Sequence, residues 1–221
     1  MILKHFLLYS ETDQGVAEVE KNFSFQSRCI TALYERCFSK FYTENIKQIN
    51  IFCVKGSPKQ FLTVVDGFCD VEIQYDVSEF FKIEDRVKKE VVLDILKQGI
   101  DKVVGLNNWE STPFNDAYKC LKELNFITDY VWKKPKSSPN RNYKAEVFIR
   151  HCLYLCEIYL IVKDSKGKEI AKKLVASTKP DELIFYKYLG ELKWLSNYEV
   201  ALFNRTNSNY VSFHLKEVLF N

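Results

Sequence analysis

Glycine and proline are scarce in this chain, with 7 and 5 residues among 221, about half of their usual combined share of roughly 12%. The glycines are spaced too far apart for a G-x-G-x-x-G turn or a Walker A loop, which excludes the common dinucleotide- and nucleotide-binding loops. The sequence also lacks the G-x-S-x-G nucleophile elbow and the H-E-x-x-H zinc helix. These absences remove the enzyme classes that a short motif identifies, so function has to be sought on the protein surface.

Paired-cysteine motifs are absent as well. The chain has seven cysteines, an odd number, and none of them forms a C-x-x-C. The N-terminus has an apolar run of only Phe6–Leu8, too short for a secretory signal or a membrane span. Most cysteines fall in segments of apolar periodicity, where a free thiol behaves as a small buried hydrophobe. We therefore expect reduced cysteines, a cytoplasmic location and no membrane association.

Metal-ligating residues are clustered locally only at His151, Cys152 and Cys156. In a strand, the two cysteines share one face and His151 points to the other, so the three cannot readily converge on one ion. The other histidines, His5 and His214, have no catalytic pattern around them. The sequence predicts no metal, no cofactor and no catalytic residue. An enzyme whose site is assembled from distant residues stays open as an alternative.

The composition is that of a folded protein, with 47% hydrophobic and 28% charged residues. The dipeptide Asp66-Gly67 separates two β-rich runs and predicts a two-residue hairpin turn. Apolar residues that recur every three or four positions predict three amphipathic helices, over 23–42, 87–105 and 113–124. The later part of the chain favours strands. We therefore predict an α+β fold, with helices in the N-terminal half packed on a mainly antiparallel sheet and a strand-rich C-terminal part.

The segment 133–144, KKPKSSPNRNYK, contains prolines, serines and basic residues but no acid, which is typical of a linker or a long exposed loop. It divides a mixed α+β region, 1–132, from a mainly antiparallel β region, 145–221; one continuous domain is the alternative. Within the second region, Lys144–Lys163 predicts one long, bent strand and Leu183–Leu189 a further strand.

Charge is distributed unevenly along the chain. Residues 133–221 contain 16 Lys and Arg against 9 Asp and Glu, whereas residues 1–132 contain 16 against 20. The overall charge of +3 therefore hides an acidic first part and a basic second part. Such asymmetry favours a charged partner for at least one of the two, although both can be ordinary solvated surfaces.

An acidic row follows the second arm of the predicted hairpin, where Asp70 and Glu72 alternate with apolar residues and so share one face. The row is continued along the chain by Asp76, Glu79, Glu84 and Asp85. We expect Asp70 and Glu72 on the solvent face and the row in contact with a basic protein partner. The alternative is that an acidic strand edge only prevents aggregation.

A second candidate surface combines cations with aromatic rings, a mixture that holds phosphates and stacks bases. Its members are Trp132, Lys133, Lys134, Lys136, Arg141, Tyr143 and Lys144. This set predicts nucleic-acid contact as the alternative to protein binding. A lysine-rich loop that is only solvated is the simpler interpretation.

In size, composition, charge segregation and α+β organisation the whole chain resembles the immunity proteins of bacterial contact-dependent and other polymorphic toxin systems. The resemblance is not carried by a motif, so it assigns no functional residue. It implies a cognate toxin, often a nuclease, that is bound tightly and blocked. The net charge of this chain is slightly positive. In this it differs from the acidic immunity proteins that bind the basic clefts of nucleases. The expected function is therefore a cytoplasmic protein-binding module whose acidic N-terminal part contacts the toxin.

Overall fold

The computed structural model of the protein describes residues 1–11 and 17–215. The chain divides into two compact units, Met1–Thr128 and Asp129–Asn221. The described residues form five α-helices and thirteen strands, and the predicted α+β class is confirmed. The unit boundary lies a few residues before the segment 133–144 that the composition suggested as a linker.

Unit 1 contains all the long helices. Its elements, in chain order, are β1 (Ile2–Leu3), β2 (His5–Glu11), α1 (Ala17–Cys37), β3 (Phe41–Tyr42), β4 (Gln48–Val54), β5 (Thr63–Val65), β6 (Phe68–Gln74), α2 (Val77–Phe80), α3 (Asp85–Leu106) and α4 (Thr112–Glu123). The three predicted helices are present as α1, α3 and α4. The prediction of 23–42 was wrong at its end, because α1 ends at Cys37 and Phe41–Tyr42 is a short strand. Helix α4 begins one residue earlier than predicted, with Ser111 at the N-cap.

The main sheet of unit 1 has the strand order β2-β4-β6-β5. The first three strands are parallel, and only β5 pairs antiparallel, with β6. An antiparallel sheet was expected here. The parallel pairing arises because α1 connects β2 to β4 as a crossover and because β6 lies between β4 and β5. The predicted hairpin is confirmed: Asp66 and Gly67 have φ of 50° and 86° between β5 and β6, the positive values that such a turn requires.

Helices α1 and α3 cover one face of this sheet. Phe6 of β2 meets Tyr34 of α1 edge-to-face at 5.0 Å. On α3, a Cβ added to Gly99 would lie 2.6 Å from the side chain of Ile51 on β4. Gly99 therefore permits close contact between helix and sheet, which accounts for a residue that is otherwise unfavourable in a helix by about 1 kcal/mol.

A buried ion pair fixes α1 to β2. Glu35 accepts two hydrogen bonds from the guanidinium of Arg28, at 2.8 and 3.1 Å, and one from the backbone N–H of Phe6 at 3.0 Å. His5 Nδ1 lies 3.6 Å from the same carboxylate. Burial opposes ionisation of Glu35, but the hydrogen bonds from His5, Arg28 and Phe6 and the charge of Arg28 together hold its pKa below the ordinary value.

This ion pair predicts loss of stability in acid. Since the pKa of Glu35 is lower in the folded state, its contribution is fully present above the unfolded pKa of about 4.3 and is lost as pH falls through the folded pKa. We expect Glu35→Gln to lower the free energy of unfolding at pH 7 by about 2 kcal/mol, because the neutral amide cannot accept both hydrogen bonds that the Arg28 guanidinium donates to the carboxylate. Urea unfolding of both proteins between pH 7 and pH 3 measures this. Wild type and variant should converge in acid, and a constant difference would refute the assignment.

Two cysteines of unit 1 form a disulfide, although the sequence predicted that all cysteines are reduced. Cys37, at the end of α1, forms a disulfide with Cys120 of α4. Five cysteines are free, and Cys29, Cys53 and Cys69 are buried in unit 1 as predicted. The sequence could not indicate the bond, because its two cysteines lie 83 positions apart and only the packing of α1 on α4 brings them together.

Unit 2 is built mainly from antiparallel strands. Its elements are β7 (Tyr130–Ser137), β8 (Tyr143–His151), β9 (Cys156–Asp164), β10 (Glu169–Thr178), α5 (Glu182–Phe185), β11 (Leu192–Trp194), β12 (Glu199–Phe203) and β13 (Tyr210–His214). The strands form a four-stranded sheet in the order β10-β9-β8-β7 and a three-stranded sheet in the order β11-β12-β13. Side chains from both sheets share one apolar core, with Val147, Leu160 and Val200 fully buried.

Three details of unit 2 correct the sequence predictions. Lys144–Lys163 is not one bent strand, because Cys152 N–H bonds the carbonyl of Leu155 and closes a turn between β8 and β9. Leu183–Leu189 is helical, since Asp181 caps α5 through the N–H of Leu183 at 2.7 Å. The segment 133–144 is largely a β-hairpin rather than a linker. Pro135 is tolerated because β7 is an edge strand with an irregular register between Trp132 and Lys136, and Pro139 lies in the turn between β7 and β8.

Candidate protein-binding surface

The six acidic residues predicted to bind a partner all lie in unit 1, but the fold gives them different settings. Asp70 and Glu72 are on β6, as predicted. Asp76 caps α2, which contains Glu79. Glu84 and Asp85 stand at the start of α3. The two strand residues share one sheet face, and the other four belong to the loops and helix ends after the strand.

Glu72 does not stand free on a solvent face, which corrects the sequence prediction. Its side chain is only 13% exposed, and its carboxylate lies 2.6 Å from the ammonium of Lys59. The backbone N–H of Lys59 donates to the same carboxylate at 2.8 Å. The hydrogen bonds from Lys59 and its charge lower the pKa of Glu72. The loop between β4 and β5, which contains Lys59, therefore folds back on β6 and neutralises this carboxylate.

Asp70 is held in a line of polar side chains across the sheet. Its carboxylate accepts a hydrogen bond from Asn50 on β4 at 2.7 Å. The side-chain amide oxygen of Asn50 in turn accepts a hydrogen bond from the side-chain amide of Gln48 at 2.7 Å. Asn50 is 9% exposed, so these groups are fixed before any partner arrives.

Three of the four remaining acids, Asp76, Glu79 and Asp85, also have nearby cations. Asp76 lies 3.1 Å from Lys55, and the hydrogen bond from Ser78 is the main cause that lowers its pKa to about 2. Glu79 lies 2.7 Å from Lys82, and Asp85 lies 3.8 Å from the ammonium of Lys88. The acidic row is therefore largely compensated within unit 1, and strong electrostatic steering toward a basic partner does not follow from it.

The face of the sheet opposite α1 and α3 is the more distinctive surface, and we call it the open sheet face. Its side chains alternate with the buried ones along the three parallel strands. They are Leu7, Tyr9, Gln48, Asn50, Phe52, Phe68, Asp70 and Glu72. Phe68 is exposed, Asn50 is buried by its neighbours, and the other six are half-buried. The contacts of α1 with Phe6 and of α3 with Ile51 lie on the opposite face. Tyr9 and Phe52 stack on the open sheet face with ring centroids 5.2 Å apart.

One edge of the open sheet face is apolar and exposed. Phe68 is 38% exposed, and Val65, its partner on the edge strand β5, is 61% exposed. Phe61, in the loop before β5, is 63% exposed. The ammonium of Lys47 lies 4.5 Å from the ring centroid of Phe68. Apolar side chains grouped in this way, beside polar groups that are already oriented, are typical of a binding surface.

The basic candidates lie together in unit 2. Trp132, Lys133, Lys134 and Lys136 line a shallow pocket with Gly190, Glu191 and Leu192. Tyr143 stacks against Trp194, with centroids 6.4 Å apart. Arg141 and Lys144 are exposed in and just after the turn between β7 and β8. The sequence prediction missed Trp194 and Tyr198, which join this cluster from a part of the chain more than fifty positions away.

Two buried thiols are held in their protonated form. Burial is the main cause that raises the pKa of Cys53 and Cys156 to about 12, so both thiols stay protonated at neutral pH. His151 is fully buried, and its Nε2 lies 3.0 Å from the carbonyl of Pro180. Within residues 1–11 and 17–215, no three His, Cys, Asp or Glu side chains are grouped as metal ligands.

Comparisons with protein-family models, with the curated proteins and with the solved structures find no match for this chain. Among the helices of the described residues, none has a stretch that is both long enough and apolar enough to cross a membrane.

Proposed function

We propose that this chain is a protein-binding module and that its partner is seated on the open sheet face of unit 1. The observation that carries the proposal is a sheet of three parallel strands whose observed helix contacts, from α1 and α3, lie on the face that contains Phe6 and Ile51. Parallel sheets are almost always covered on both faces. A partner that packs on the open sheet face supplies the missing layer.

The chemistry of the open sheet face supports a specific contact. The stacked rings of Tyr9 and Phe52 are already ordered, so burying them costs little conformational entropy. Gln48, Asn50 and Asp70 are aligned by their own hydrogen bonds. Exposed Phe68 and Val65 provide apolar area at the edge. Aromatic anchors beside oriented polar groups are the arrangement that hot spots of protein interfaces use.

The partner that we propose is a cognate toxin, in keeping with the resemblance to immunity proteins. Three carboxylates of the acidic row, Glu72, Asp76 and Glu79, are paired with lysines 59, 55 and 82. This pairing favours a partner with a mixed apolar and polar surface over a strongly basic nuclease cleft. Binding would then inhibit the toxin by covering the surface that carries its activity.

A cytoplasmic location belongs to the same proposal. The disulfide between Cys37 and Cys120 does not favour it, because structural disulfides are rare in reducing compartments. Acid quenching of intact cells, followed by alkylation of the denatured protein and mass spectrometry, decides the matter. Seven alkylated cysteines would support the cytoplasm, and a protected Cys37–Cys120 pair would contradict it.

The proposed function is tested by measuring binding to the protein encoded by the adjacent reading frame with biolayer interferometry. The variant Val65→Lys/Phe68→Lys places two charges on the exposed edge of the open sheet face. We expect it to weaken binding at least about 30-fold, which corresponds to roughly 2 kcal/mol.

A matched control introduces the same two charges in unit 2. Val131→Lys/Leu183→Lys replaces residues that are 42% and 92% exposed, and we expect it to change affinity less than about threefold. Circular dichroism melts verify that both double variants are folded. Equal losses in the two variants, or no loss in either, would rule out the open sheet face as the binding surface.

A further inference from the structure

The β7–β8 hairpin and strand β11 form one aromatic and basic cluster in unit 2. The indole N–H of Trp194 donates to the carbonyl of Lys136 at 2.9 Å and fixes β11 against β7. The ring of Tyr143 lies between Trp194 and Tyr198, with centroids 6.4 and 6.3 Å away. The turn is held as well, since Asn140 N–H donates to the side chain of Asn197 at 3.1 Å. These contacts hold the residues of the cluster in fixed positions relative to one another, so they form one continuous surface.

The cations of this cluster are not neutralised in the way that the acids of unit 1 are. In the part of the chain that the structure describes, Lys136 pairs with Glu191 at 3.8 Å. The other exposed cations of the cluster have no carboxylate within ion-pair distance among those described residues; they are Lys133, Lys134, Arg141, Lys144 and Lys193. A positive surface of this kind attracts a polyanion.

Aromatic rings are interleaved with these cations. The ammonium of Lys133 lies 4.0 Å from the ring centroid of Trp132, and both residues border the same pocket as Lys134 and Lys136. Trp132, Trp194 and Tyr143 are half-buried, so each is held in place with part of its surface accessible. Stacking on aromatic rings between phosphate-binding cations is how proteins hold unpaired bases.

We propose that this cluster binds single-stranded nucleic acid, with phosphates on the lysines and Arg141 and with bases stacked on the aromatic rings. A single strand fits better than a duplex, because only unpaired bases can stack on side chains. The proposed site contains no residue of the open sheet face. Its test is therefore independent of the test for the proposed protein partner.

The test is fluorescence anisotropy with labelled dT20 and rU20 strands on the full chain in 50 mM salt. We expect binding to at least one of them, with quenching of tryptophan fluorescence. Lys134→Glu/Lys144→Glu should weaken it at least tenfold and should reduce the slope of log affinity against log salt by about 1.4, which corresponds to two phosphate contacts. Trp132→Phe/Trp194→Phe leaves only Trp109 and should abolish the quenching.

The matched control is Lys4→Glu/Lys119→Glu, which makes the same charge change at exposed positions of unit 1. We expect it to change affinity less than twofold. The proposal would be overturned by absence of binding, by equal weakening in the control, or by equal affinity for a 20-base-pair duplex. It would also be overturned if heparin displaced the strand and no complex showed quenching of tryptophan fluorescence. A preference for RNA or for DNA would identify which of the two the site recognises and would support it.

Discussion

Gly190→Ala is expected to destabilise unit 2 by about 3 kcal/mol, at the upper end of what overpacking costs. A Cβ on Gly190 would lie 2.0 Å from the carbonyl oxygen of Asn204 and 2.7 Å from that of Phe203. Both are backbone atoms, so no side-chain rotation relieves the contact. The hydrogen bond from Gly190 N–H to Phe203, 2.9 Å long, would also be broken. Thermal and urea unfolding measure the loss.

Gly105→Ala is the control for this substitution. A Cβ there meets nothing within 4 Å, and the residue lies in α3. Alanine should therefore leave stability unchanged or raise it by up to about 1 kcal/mol. Equal melting of Gly190→Ala and wild type would show that the backbone of β12 does not approach Gly190 this closely.

Loss of the disulfide is expected to have an effect of similar size. The bond closes a loop over 83 positions, for which the constraint on the unfolded chain is worth about 4 kcal/mol, with measured values commonly 2–4 kcal/mol. Cys37→Ser/Cys120→Ser should lower the free energy of unfolding of unit 1 within that range. Urea unfolding with and without a reductant measures it.

Reductant should destabilise the wild type to the level of this double variant and leave the variant unchanged. The free cysteines serve as the internal control, because Cys29, Cys53 and Cys69 are buried and form no disulfide. A wild type that is indifferent to reductant and yields seven reactive thiols after unfolding would refute the bond.

Local patterns predicted the elements of this fold well. The three helices follow from apolar spacing, and the hairpin follows from Asp66-Gly67, whose positive φ values only a few residue types adopt easily. Strand partners are different, because alternation along β4 is the same whether its neighbours run parallel or antiparallel. The parallel order of β2, β4 and β6 depends on the path of α1, which no local pattern contains.

The candidate surfaces were predicted less completely, since sequence shows charges but not their partners. The alternation of Asp70 and Glu72 placed both on one face correctly. It could not show that Lys59 would fold back to neutralise Glu72, because that contact depends on the loop between β4 and β5. A signal for the open sheet face was present in Gln48 and Asn50, which alternate with the buried Ile49 and Ile51.

Site-specific photo-cross-linking tests the central claim, that the open sheet face binds a protein partner, most directly. A photoreactive phenylalanine analogue at Phe68 would be activated in the presence of the protein encoded by the adjacent reading frame. The same analogue at Leu183 of unit 2, which is 92% exposed, is the control. The account predicts a covalent adduct from position 68 and none from position 183. An adduct from position 183 with none from position 68 would contradict it.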